Sequence, residues 1–155
     1  MAAKISQSVG VNSTLRRAIH LVKVPIIISF IVTPVRFFLE LAGLPENVIF
    51  ILGLLWLSIG FSVYWGFKLS TEKQAYWILL LALVIFSPIS RFAVSLLWWI
   101  DTQLEIGTHY GAYFSNFQQA VLNQVGYGSL VQIIPGFLLG SITLVVLKSR
   151  RSVKK

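Results

Sequence analysis

Four apolar stretches constrain this chain more than any other feature. They cover about Val24 to Ala42, Val48 to Phe67, Tyr76 to Ile100 and Leu130 to Leu147. Each approaches the ~20 residues that an α-helix needs to cross a hydrocarbon core. They are rich in Leu and Ile and lack the dyad alternation of β-barrel strands of ~10 residues. The expected fold is all-α: a polytopic membrane protein with four transmembrane helices. Composition agrees, because 56% of the 155 residues are apolar and only 12% are charged. A soluble domain is roughly 25% charged, and at this length it has too little interior to hide so many apolar side chains. Soluble globular and disordered chains are thereby excluded. The expected organisation is a basic leader (1–23), a four-helix domain (24–147) containing a long link (101–129), and a basic tail (148–155).

The basic residues set an orientation. Lys4, Arg16, Arg17 and Lys23 precede the first span, Lys68 and Lys73 follow the second, and Lys148, Arg150, Arg151, Lys154 and Lys155 follow the fourth. The links 43–47 and 101–129 carry none. Positive charge is retained on the cytoplasmic side, so both termini are expected there. An odd number of spans would break the pattern. The expected location is a cell inner or plasma membrane. The alternative is the mitochondrial inner membrane, because the first 23 residues are acid-free and carry Ser, Lys and Arg, as transit peptides do. No small-residue cleavage site follows the first apolar run, which argues against a signal peptide. The Asn12-Ser13-Thr14 sequon falls on the inner side, where no glycan is added. The net charge of +8 thus reads as membrane orientation rather than affinity for nucleic acid. The expected partners are the lipid bilayer and a second copy or a larger membrane complex. The absence of Cys excludes disulfides, zinc–thiolate sites and iron–sulfur clusters.

A feature recurs inside the membrane. Span one contains Thr33-Pro34-Val35-Arg36-Phe37 and span three contains Ser87-Pro88-Ile89-Ser90-Arg91-Phe92. This is either a 2+2 repeat about an axis along the membrane normal or chance similarity between apolar segments. Each Pro removes a backbone donor and is expected to kink its helix, with Thr33 and Ser87 helping to satisfy the freed carbonyls. An Arg near mid-span costs at least ~2.5–3.5 kcal/mol on insertion scales, so Arg36 and Arg91 are expected to point into the bundle. Glu40 follows Arg36 by one helical turn and is its expected partner. Glu46, Asp101 and Glu105 also fall at the outer ends of spans. The Arg36/Glu40/Arg91 cluster reads first as structural pairing, alternatively as an anion-attracting cavity or an ion or proton path opening outward, and last as arginines that snorkel without a role.

Trp98 and Trp99 match an interfacial aromatic belt. Asp101, Glu105 and His109 are four apart, so a continued helix would align them for metal or acid–base chemistry. Gly107 interrupts that helix, and the expected arrangement is a solvated outer rim without metal. Tyr113, Phe117, Val121 and Val125 predict an amphipathic helix on the outer interface or capping the bundle. Gly136 and Gly140 form a small-xxx-small pair for close helix packing, within the chain or between copies. No phosphate-binding glycine loop, nucleophile elbow or His-Glu-x-x-His motif is present. Neither His falls where a haem between spans would need it, so no cofactor is expected. These features favour a non-enzymatic membrane subunit or assembly factor. A small transporter or channel component using Arg36 and Arg91 is the alternative, and a membrane enzyme using His109 ranks last.

Overall fold

The computed structural model describes the backbone of residues 2–152 and the side chains of residues 13–45 and 47–152. Lys154, Lys155 and the side chains of Lys4, Asn12 and Glu46, named above, lie outside that description. The chain is 86% helical, with no strand among the described residues. Four helical segments are long and apolar enough to cross a membrane: Ser13–Leu41, Asn47–Leu69, Ala75–Gln103 and Phe117–Ser152.

The first segment belongs to α1 (Ala2–Leu41), which runs through Pro25 and Pro34 without a break. The second is interrupted. A turn of helix, α2 (Glu46–Ile49), and a 3₁₀ turn (Phe50–Leu52) lead to Gly53, whose backbone is extended, before α3 (Leu54–Leu69) begins. The continuous helix of span two is therefore shorter than the expected 48–67. Span three is α4 (Ala75–Gln103), continuous through Pro88. The largest difference from the sequence reading lies in span four. After α5 (His109–Ala112), helix resumes at α6 (Phe117–Val121), passes through a π-helical stretch (Leu122–Gly128) and continues as α7 (Ser129–Ser152). The 113–125 stretch is thus no separate interfacial helix. Its helical part is the start of span four, because nothing between Phe117 and Leu130 breaks the chain, whereas Asn116 accepts from Gln119 N–H and caps the start.

The expected rescue of proline-freed carbonyls takes another form. Thr33 donates to the Ser29 carbonyl at 2.8 Å, one residue short of the carbonyl that Pro34 leaves free. The Ser87 hydroxyl has no partner among the described residues, and it is Ser90 that donates to the Ser87 carbonyl. Back-bonding within the last turn satisfies the hydroxyl first.

Helix α4 is the centre of the bundle, packing on α1, α3 and α7. Its buried face presents Ile78, Leu79, Ala82, Leu83 and Phe86 to the main core, which Leu21, Val22, Trp65, Leu69 and Leu144 complete. The closest helix approach is between α3 and α7. Ser58, Ser62 and Gly66 recur every four residues on α3 and are fully buried or nearly so. They meet Gly136 and Gly140 of α7. A Cβ on Gly140 would fall 2.9 Å from the Ser62 carbonyl oxygen, and one on Gly66 would fall 2.9 Å from the Gly140 carbonyl oxygen. The small-residue pair therefore packs within the chain. Backbone atoms cannot rotate away as a side chain can, so Gly140→Ala and Gly66→Ala should each destabilise the bundle by about 1–3 kcal/mol, the usual range for overpacking. Gly60→Ala, where an added Cβ meets nothing within 4 Å, should not. Reversible unfolding in mixed micelles checks the contrast.

Candidate functional site

The two ends of the bundle differ in charge. At one end Arg17 pairs with Glu72 at 3.4 Å, and Lys148 lies over the Tyr76 ring at 5.0 Å. At the other end the chain turns between α1 and α2 and again between α4 and α5, and four of the five acids lie there. At this second end α1, α4, the 104–116 link and the π-helical stretch enclose a cavity of about 110 Å³. Arg36 and Arg91 both line it, together with Trp98, Tyr110, Tyr113 and Gln124.

Arg36 sits in the last turns of α1, whereas Arg91 enters from deeper in α4. Arg91 fits beside Gly128, where a Cβ would stand 3.3 Å from its Cδ and Nε. Its Nη1 donates to Gln124 Oε1 at 3.2 Å. Gln124 is on the π-helical stretch, a geometry often found at functional positions because it redirects side chains out of helical register. The Nε atoms of both arginines are buried without a hydrogen-bond partner among the described residues.

The expected Arg36–Glu40 pair does not form. The His109 backbone N–H donates to Glu40 Oε1 at 2.6 Å, and His109 Nδ1 pairs with Glu40 Oε2. Among the described residues the ion pairs are this one and Arg17–Glu72. The one-turn spacing does put Glu40 and Arg36 on the same helix face. However, α5 begins at His109, so its N–H has no intrahelical acceptor. Two donors from one residue then hold both carboxylate oxygens. The consequence is electrostatic: Arg36 and Arg91 share a small cavity that His109 also lines, while Glu40 is engaged by His109 rather than by Arg36.

Tyr110 follows His109 into the interior. It is 4% exposed, packs on the Phe37 ring at 5.8 Å, and its hydroxyl has no partner among the described residues. Burial pushes its phenol above the ordinary 10.0, so the hydroxyl stays neutral and can donate.

The outer-rim residues separate. Asp101 is buried rather than solvated and accepts the Thr108 N–H at 3.0 Å. The chain doubles back after α4 through two left-handed residues, Glu105 (φ 50) and Gly107 (φ 81). This reversal destroys the i, i+4, i+8 alignment and brings Thr108 onto Asp101. Asp101 and Glu105 share a shallow hollow on the protein surface, while His109 belongs to Glu40. Among the described residues no three His, Asp or Glu side chains converge as a metal site would require. Trp98 also departs from the expected belt. It is 5% exposed and stacks on Phe117 at 6.4 Å, whereas Trp99 is half exposed.

The sequence reading named Arg36 and Arg91 but missed Gln124, Tyr110 and Gly128 as their neighbours. Only a deviation from helical periodicity near Gly126 and Gly128 could have hinted at the π-helical stretch. Comparisons with protein-family models, curated proteins and solved structures each find no match for this chain. The functional reading therefore rests on the site alone.

A double-mutant cycle tests the charge assignment. Glu40→Gln with His109→Ala should give a coupling of roughly 0.5–3 kcal/mol, as contacting partners do. The Arg36→Gln/Glu40→Gln cycle should be clearly smaller. A larger Arg36 coupling in micelle unfolding would restore the Arg36–Glu40 pair.

Proposed function

We propose that this chain is an integral membrane protein that crosses the bilayer four times, with both termini cytoplasmic. It binds a small anion between Arg36 and Arg91, in the outer half of the bundle. The observation that carries the reading is the convergence of Arg36 and Arg91 on one cavity, with Glu40, on the same helix as Arg36, held by His109 rather than by Arg36. Unneutralised charges in a low-dielectric interior are costly. An oxyanion offsets that cost, and the planar fork of a guanidinium matches carboxylate, sulfate or phosphate geometry. The cavity has room for roughly three or four groups the size of a water molecule. That favours a compact anion, or the headgroup of a larger molecule, over an extended substrate.

The role in the membrane is that of a small anion carrier or anion-responsive component. A subunit or assembly role is the second reading. It is favoured by the apolar stripe Leu130, Ile134, Leu138 and Ile142 on α7, each more than half exposed and one turn apart, which suits a partner helix as well as lipid. The 2+2 repeat remains part of the proposal. Its support is that α1 and α4 pack together and each delivers an Arg, after a Pro, to the same cavity.

Thermal unfolding in lipid nanodiscs tests the anion site. Sulfate, phosphate and acetate are compared with chloride at fixed ionic strength. The anion that binds should raise the midpoint of the wild type. Saturation at 100 times Kd corresponds to about 2.7 kcal/mol. Arg36→Gln and Arg91→Gln should each lose this response. In chloride alone Arg36→Gln should not be less stable than wild type, since one of two like charges is removed, whereas Arg91→Gln also loses the bond to Gln124. Equal responses in wild type and variants would sink the site. Proteoliposome flux of the same anion then separates a carrier from a binding subunit.

Topology is tested with single cysteines, which the native chain lacks. Thr71, Ser115 and Ser152 are exposed. A membrane-impermeant thiol reagent added outside should label Ser115→Cys only. Outside labelling of Thr71→Cys would overturn the orientation.

A further inference from the structure

A second basic site lies far from the arginine cavity, at the other end of the bundle. There a groove of about 270 Å³ runs between α1 and α3. Its rim carries His20 and Lys23 from α1 and Lys68 from α3. Its wall is apolar and aromatic, formed by Val24, Phe61 and Tyr64 over the buried Trp65. Lys68 Nζ lies 5.7 Å from the Tyr64 ring centroid. Among the described residues no Asp or Glu lines the groove; Glu72, the acid nearest in sequence to Lys68, is paired with Arg17.

The position along the helices gives the groove its chemistry. Lys23 immediately precedes the apolar part of α1, and Lys68 closes the apolar part of α3. The two ammonium groups therefore mark the same border, where a spanning helix leaves hydrocarbon. Below them Val24 and Tyr64 are each more than half exposed, so the wall descends toward the bilayer core as an open apolar surface. Two cations above an open apolar wall match one type of occupant: a phosphate at the border with an acyl chain beneath it. A soluble anion would leave the wall uncovered, and a neutral lipid would leave the lysines uncompensated.

We infer that this groove is a binding site for an anionic phospholipid of the cytoplasmic leaflet, with its phosphodiester between Lys23 and Lys68 and one acyl chain against Val24, Phe61 and Tyr64. Basic pockets between transmembrane helices on the cytoplasmic side hold anionic headgroups in this way. The inference rests on the membrane-spanning reading but is independent of the anion cavity at Arg36 and Arg91.

The test uses the full chain in nanodiscs of phosphatidylcholine containing phosphatidylglycerol, with retained lipid counted by native mass spectrometry after gentle extraction. Wild type should retain phosphatidylglycerol in preference to phosphatidylcholine. Lys23→Gln/Lys68→Gln should weaken that preference roughly 30-fold, the effect of two cations near an anionic surface. Lys73→Gln/Lys148→Gln removes equal charge at the same end but outside the groove, and should change it little. Thermal unfolding confirms that both variants are folded, and Lys23→Arg/Lys68→Arg should retain the preference if either Gln variant proves unstable. Soluble glycerol phosphate should not displace the lipid. The inference is overturned if the control pair lowers the preference as much as the groove pair, if the groove pair retains it, or if glycerol phosphate competes. Failure of the wild type to incorporate into nanodiscs would instead remove the membrane reading.

Discussion

The carboxylate of Glu40 can satisfy one set of strong donors at a time, and His109 holds it. This single contact fixes the link after α4 onto the end of α1. It carries Tyr110 into the interior against Phe37 and closes the cavity over the arginines. It also leaves Arg36 and Arg91 facing each other without a carboxylate between them. Had Glu40 turned to Arg36, the same residues would form a neutral structural pair and the link would lose its anchor. The character of the site follows from which donor reaches the acid first in space, not from which lies nearest in sequence.

A second constraint operates along the bundle. Helices α3 and α7 approach until their backbones touch, because Ser62, Gly66, Gly136 and Gly140 remove the side-chain bulk between them. In a membrane there is no hydrophobic drive between apolar helices, so close packing and buried polar contacts must supply the association. The serine hydroxyls here turn back onto their own helix, with Ser58 and Ser62 donating to carbonyls one turn earlier at 2.6 Å. They are small without presenting unpaired donors to the neighbour. The tight α3–α7 seam leaves α4 to fill the middle, and α4 in turn holds Arg91 at the cavity that Arg36 also lines.

The charges at the two ends of the bundle serve different ends. At the basic end Lys23 and Lys68 stand at the rim of an apolar groove, the place where the proposed lipid headgroup would sit. At the other end Arg36 and Arg91 line a cavity inside the bundle, and two of the four acids are tied into turns. Asp101 holds Thr108, and Glu40 holds His109. These contacts are structural, and they leave Arg36 without the Glu40 partner that its spacing offers.

Much of the architecture was legible in the sequence. Four runs of about 20 apolar residues admit few solutions other than four long helices, because backbone groups in hydrocarbon must be satisfied within each segment. The small-residue pair was legible for a similar reason: a close helix approach needs positions without side-chain bulk. What sequence could not decide was partnership. The same-face spacing of Arg36 and Glu40 predicted a pair, but hydrogen bonding depends on which group the link delivers. The four-residue spacing of Asp101, Glu105 and His109 predicted alignment, but the left-handed backbone at Glu105 and Gly107 folded it away. The tertiary structure alone decided that Gln124 reaches Arg91, that Trp98 is buried, and that Lys23 and Lys68, 45 residues apart in sequence, border one groove. Periodicity fixes the face on which a residue lies, whereas its partner is set by how the helices rotate and how the links return.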